Sequence, residues 1–138
     1  MEYRVLLEWL QRTVSLLLAY VLFSYGTDKV FPLQFGRLSQ VRSERVGDLD
    51  RFNMLWTFMA ASTPYTVFSG AMEILAGLLL LVRRSETAGA LLSIGVLTNV
   101  LVLNLAYDVP VKLLSSHLLV FALFLPGLLP DSRSLFSN

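Results

Sequence analysis

Few side chains in this 138-residue sequence could do chemistry, and most of those that could lie within or beside long apolar stretches. Glu73 is the foremost. It stands nine residues from either end of the segment Pro64 to Val82, about 13 Å from each end of a helix rising 1.5 Å per residue. An ionisable group that deep in an apolar medium is costly, so it faces protein or water and has a task. Its neighbours at i−4, i−3, i+3 and i+4 are Ser69, Gly70, Ala76 and Gly77, small enough to let another helix approach that face. The same arithmetic puts Tyr20, Asn99 and His117 at about 7, 10 and 9 Å below one rim of the apolar layer. Asn104 and Tyr107 stand near that rim and Lys29 lies beyond it. These residues outline a polar cavity, with Glu73 and His117 as candidate proton-exchanging groups and Tyr20, Lys29, Asn99, Asn104 and Tyr107 as candidate ligand contacts. Plainer roles stand beside these: Glu73 as a hydrogen-bonded link between helices, Asn99 and Asn104 as interhelical donors, His117 as a packed histidine.

Composition says what kind of medium surrounds this cavity. Apolar residues make up 55% of the chain and charged residues only 15%, against about 25% in an ordinary soluble domain. The expected solvent is lipid. Eleven basic against ten acidic groups leave a net charge of +1, which offers no general attraction to nucleic acid. Without cysteine the chain has no thiolate nucleophile, Fe–S ligand or Cys-type zinc site, and no metal site is expected. A single histidine cannot supply both axial ligands of a bis-His haem. Any redox role therefore needs a partner for part of the electron path.

The elements that must position these residues follow from the length of the apolar runs, since about 20 residues of helix cross a membrane. Four crossings are expected, at about residues 3–25, 64–82, 87–107 and 110–129. The first carries Glu8 and Arg12 at i,i+4, a spacing that suits an ion pair. Ser24-Tyr25-Gly26 is a poor cleavage site, so this stretch reads as a retained helix rather than a signal peptide. Ser62-Thr63-Pro64 is a helix-start signal that separates the second crossing from a short interfacial helix, Phe52 to Ala61. The third crossing, Thr87 to Tyr107, has 21 uncharged residues. Pro126 and Gly127 loosen the end of the fourth, and a frayed polar tail, Pro130 to Asn138, follows. The expected architecture is all-α: one integral membrane domain over residues 1–138, a four-helix transmembrane bundle with residues 26–61 outside the membrane. Phe31, Phe35, Phe52, Trp56 and Phe58 suit an aromatic belt at the interface or a ring-stacking lid over a ligand. Asp108 and Lys112 are spaced to pair across the last turn.

Both termini and the Arg83-Arg84 turn fall on one side, A, and the long loop on the other, B. Lysine and arginine number five on side A and six on side B, but the paired arginines lie in a very short loop, where positive charge weighs most. Side A is therefore assigned to the cytoplasm.

Several segments taken together resemble a known family. Ser24-Tyr25-Gly26-Thr27-Asp28-Lys29-Val30-Phe31-Pro32, Trp56-Thr57-Phe58-Met59, the stretch Glu73 to Leu81 and the stretch Asn104 to Lys112 are similar to the DoxX-like family of small four-helix membrane proteins. The likeness covers roughly Tyr20 to Leu125, with Ala76-Gly77 where that family usually has Gly-Gly. It implies a bacterial inner-membrane protein, some of whose relatives are subunits of thiosulfate:quinone oxidoreductase. Two function classes follow. One is a quinone-interacting subunit of an oxidoreductase assembly, with no covalently bound cofactor, a protein partner as electron donor, and membrane lipid around it. The other is non-enzymatic: a membrane scaffold or accessory subunit, or a proton-coupled carrier of small solutes acting as a homo-oligomer.

Overall fold

A computed structural model describes residues 2–31, 33–36 and 45–128. The expected tail, Pro130 to Asn138, lies outside them. The described residues are helical almost throughout, in five α-helices: α1 (Glu2–Val30), α2 (Arg51–Ala61), α3 (Thr63–Leu81), α4 (Glu86–Ala106) and α5 (Lys112–Leu128). Short 3₁₀ turns at Val46–Asp48 and Arg83–Ser85 precede α2 and α4. Three segments, α1, α3 and Arg83–Ala106, are long and apolar enough to cross a membrane. The fourth apolar helix, α5, has 17 residues.

The ends of the helices explain most of the register. Asp50 caps α2 by accepting a hydrogen bond from the Asn53 N–H at 3.0 Å, satisfying one of the donors left free at a helix start. Ser62 occupies the N-cap of α3 with Pro64 in its first turn, where a missing N–H costs nothing. At the other end of α4, Asp108 takes φ 55°, a left-handed conformation that Asp tolerates better than most residues. That twist lets the Val109 N–H reach the Asn104 carbonyl at 2.9 Å, and buried Val109 packs beside Leu103. Such a bond and contact are how a helix satisfies its last carbonyls.

Two expected boundaries shift. The first crossing does not stop at Tyr25: α1 continues to Val30, so Gly26 to Lys29 is helix and not loop. The fourth helix begins at Lys112 rather than at residue 110, with Pro126 in its last turn.

α1, α3, α4 and α5 each pack on the next, and α5 returns to α1, closing a ring of four. Leu18, Leu22, Leu80, Leu97 and Leu125 fill its centre with Ala76, Ala90 and Ala122 between them. Leu16, Leu17, Leu78, Leu91, Val102 and Phe124 point outward and exposed, an arrangement that needs an apolar surrounding. The α1–α3 contact is the most extensive, and glycine sets its closeness. A Cβ on Gly26 would lie 2.6 Å from the Gly70 carbonyl oxygen, and one on Gly70 would lie 2.6 Å from that of Gly26. Backbone meets backbone here, as small residues permit between apolar helices.

Gly26→Ala is therefore expected to destabilise the fold by about 1–3 kcal/mol through overpacking. Gly95→Ala, where nothing lies within 4 Å of the new methyl, should be neutral or stabilising by up to about 1 kcal/mol. Thermal melts of the two variants in one detergent compare them, and equal melting points would refute the tight crossing.

Candidate functional site

Near the Gly26–Gly70 crossing, Lys29 of α1 and Glu73 of α3 form an ion pair. Their backbones are offset along the two antiparallel helices, and side-chain direction closes the gap. A helical side chain leans toward the N-terminus of its own helix, so Lys29 leans into the bundle while Glu73 leans toward the end where α1 finishes. Both are buried, Lys29 to 7% and Glu73 to 2% exposure. Lys29 Nζ donates to Glu73 Oε1, whereas Glu73 Oε2 is buried with no hydrogen-bond partner among the described residues. Leaving a buried acceptor unpaired costs about 1–3 kcal/mol.

Glu73 also stands in the wall of a cavity of about 90 Å³, room for several waters. Leu22 and Val21 of α1, Leu97 and Val100 of α4, and Leu114 and Leu118 of α5 supply apolar wall, while Tyr25, Lys29, Gln34, Ser69, Asn99, Asn104 and Ser115 supply polar groups. Phe35, Leu55, Trp56 and Met59 complete the wall from the loop and α2. Phe52 stacks on Trp56 with ring centroids 4.0 Å apart, and Phe35 meets Trp56 edge-on at 5.0 Å. The expected aromatic set thus divides. Phe35 and Trp56 border the cavity, Phe52 supports Trp56, and Phe31 and Phe58 point outward.

Of the residues expected at the site, Glu73, Lys29, Asn99 and Asn104 line this cavity. Lys29 does so from the last turn of α1 and not from a loop above it. Asn104 is buried and donates to Ser115 Oγ at 3.0 Å, tying α4 to α5. Tyr107 is half-buried and packs against the Leu55, Met59 and Val109 cluster, outside the cavity wall. Tyr20 and His117 are elsewhere. Tyr20 is 72% exposed on the outer side of α1, and exposed His117 places Nδ1 2.6 Å from the Leu113 carbonyl of its own helix. Depth along a helix does not fix the direction a side chain faces: Leu18 and Ser115 face inward, and a residue two positions further on lies about 200° around the helix. Of the two candidate proton-exchanging groups, only Glu73 borders this cavity.

A second buried carboxylate lies at the opposite end, outside the expected set of site residues. Glu86, at the start of α4, is 3% exposed. Ser15 donates to its Oε1 and Gln11 to its Oε2 at 3.2 Å. Arg12 approaches Oε1 at 3.9 Å and also donates to the carbonyls of Leu80 and Leu81, at 3.3 and 2.8 Å. Arg12 is thus turned to Glu86 and the end of α3 rather than toward Glu8. The available signal was Gln11 and Ser15 themselves, polar residues four apart on the stripe of α1 that continues into Leu18 and Leu22.

No protein-family model matches the chain, and no solved structure matches it. Over 113 residues it is 36% identical to the uncharacterized protein YwoB of Bacillus subtilis (strain 168), a match spanning 82% of this chain and 72% of that protein. The chain belongs to the YwoB family. Membership brings no activity with it, so the chemistry must be argued from the side chains.

Asp108 and Lys112 form the expected pair at the α4–α5 turn. The hydrogen bond from Lys112 and then its positive charge hold the exposed Asp108 carboxyl below its ordinary range, with Arg51 adding to the effect. A depressed carboxyl favours the folded state above the unfolded midpoint, and that contribution disappears as pH falls through the lower folded midpoint. In an NMR titration in micelles, Asp108 should titrate below an ordinary aspartate. Lys112→Met should return it to the usual range; an unmoved midpoint would count against the pair.

Proposed function

We propose that this protein is a DoxX-like, quinone-interacting membrane subunit of an oxidoreductase assembly, folded as a four-helix transmembrane bundle in a bacterial inner membrane. The observation that carries the reading is Glu73: its Oε2 is unpaired in the wall of a mainly apolar cavity while Lys29 compensates its charge. A quinone head group has the matching chemistry, an apolar ring with oxygens at opposite ends. Asn99 and Tyr25 would donate to one carbonyl oxygen, and Glu73 would exchange a proton with the other, passing it to that oxygen as the ring is reduced. Electrons would come from a protein partner or soluble reductant, since the sequence has no cysteine. The Gly26-x-x-Lys29 and Glu73 to Gly77 steps, which carry the family resemblance, also meet at the α1–α3 crossing.

In this arrangement α5 is the fourth crossing. Its 17 residues give about 25 Å of helix, enough with locally thinned lipid or flanking turns. The termini would be cytoplasmic, with the exposed Arg83 and Arg84 in a very short turn on the same side.

One observation favours a second reading. Lys29–Glu73 joins α1 to α3 beside their closest approach, so the pair also suits a helix link in an accessory or scaffold subunit that binds no small molecule. The two readings diverge when both charges are removed together. Deleting one partner of a buried pair strands the other and costs about 3–5 kcal/mol, whereas replacing both by apolar residues is often tolerated.

The expected outcome is that detergent-purified protein carries extractable quinone, that Glu73→Gln lowers it at least about fivefold, and that Lys29→Met/Glu73→Leu loses it while keeping a cooperative melt. Folded, quinone-free wild-type protein would leave the scaffold reading in possession. Orientation has its own check. Gly47 has open space around it, and a Gly47→Cys variant carries the only thiol in the chain. A membrane-impermeant thiol reagent should label it in spheroplasts before lysis; protection until lysis would reverse the assignment.

A further inference from the structure

The cavity makes a demand that the quinone reading leaves open, namely which form of the ligand it prefers. Glu73 Oε2 and Gln34 Oε1 are both buried without a hydrogen-bond partner among the described residues, and both belong to residues of this one wall. Both atoms are acceptors. Gln34 can turn its amide to present N–H instead, so Glu73 sets the requirement, and a carboxylate oxygen accepts only. The nearby polar groups do not meet it. Lys29 donates to the other oxygen of the same carboxylate, and Asn104 donates to Ser115 Oγ. The ligand must therefore bring a donor. It must also be neutral, because Lys29 already balances the charge of Glu73, and a cation would be placed beside an ammonium group.

Resting on the quinone reading, we propose that the cavity selects the reduced, hydroxyl-bearing form: a neutral aromatic diol whose O–H donates to Glu73 Oε2, in preference to the quinone, which offers only acceptors. Gln34, as either donor or acceptor, serves the second oxygen in a way that does not oppose this choice. A site of this kind holds quinol and releases quinone. The oxidised molecule would leave Glu73 Oε2 unpaired and place a carbonyl oxygen against it.

The test compares three probes of one shape on the wild-type protein in nanodiscs: a short-tailed benzoquinol, the matching benzoquinone, and the quinol's dimethyl ether, with redox state held by a mild reductant or its omission. The quinol should bind at least about tenfold more tightly than either of the others, the size expected for one hydrogen bond to a charged acceptor. Lys29→Met/Glu73→Leu should remove that difference. Equal binding of quinol and quinone, or of quinol and ether, overturns the selection while leaving a quinone site intact. Preference surviving in the double variant overturns the role of Glu73. No binding by any of the three overturns this inference together with the reading beneath it.

Discussion

An ion pair buried where α1 and α3 touch constrains the rest of this molecule. Bringing a carboxylate and an ammonium out of water costs several kcal/mol for each ion, and their attraction offsets it only when the geometry is good. Good geometry here means two helices close enough for Lys29 and Glu73 to meet from offset positions, which is what Gly26 and Gly70 supply. Larger side chains at either glycine would separate the axes and lengthen the pair in a medium unable to solvate it. The crossing and the pair therefore stand or fall together. The cavity's polarity follows from them, because the same carboxylate presents its second oxygen there.

A carboxylate at each end of the bundle gives α1 two different anchors. Toward its N-terminus, Gln11 and Ser15 satisfy both oxygens of Glu86, and Arg12 adds charge while taking up carbonyls at the end of α3. That cluster is saturated, so it reads as a clamp between α1 and the α3–α4 turn. Toward its C-terminus the carboxylate is only half satisfied and borders open volume. The contrast in hydrogen bonding between two equally buried glutamates separates a structural carboxylate from a candidate binding group more clearly than burial does. Glu73 and Glu86 differ by only one percentage point in exposure.

Apolar run length was enough to read the helices in the sequence, since it reflects the thickness of a bilayer and the rise of a helix. α3 and α4 fall within about one residue of their expected limits at each end. The end of α1 was not legible, because Gly26 to Lys29 looks like a turn when its polarity is read without the helix that packs on it. Glu73 was legible from its depth and its small neighbours. Tyr20 and His117 were misplaced because depth says how far along a helix a group sits, while the direction it faces depends on which stripe is buried. That stripe, Leu18 to Gly26 on α1 and Ser115 to Leu125 on α5, emerges only when the partners are known. Gln34 had no signal at all, since it reaches the cavity from a non-helical stretch.

The side chains also limit what this chain could contribute to an oxidoreductase. On the quinone reading, Glu73 and Lys29 would hold a head group and exchange a proton with it. An electron path needs groups of another kind, and the sequence has no cysteine while its one histidine is turned out of the bundle. On the quinone reading the labour is therefore divided. This chain would fix the ring in an apolar slot and control its protonation, and a partner would supply or collect electrons within transfer distance of that slot. On the same reading this geometry would also narrow the partner's place. α2 and the Phe35–Trp56 contact cover the slot at the end where α1 finishes, while Glu86, Arg12 and the α3–α4 turn occupy the far end without reaching it. The shorter approach to a ring held there would be through α2 and its aromatic residues.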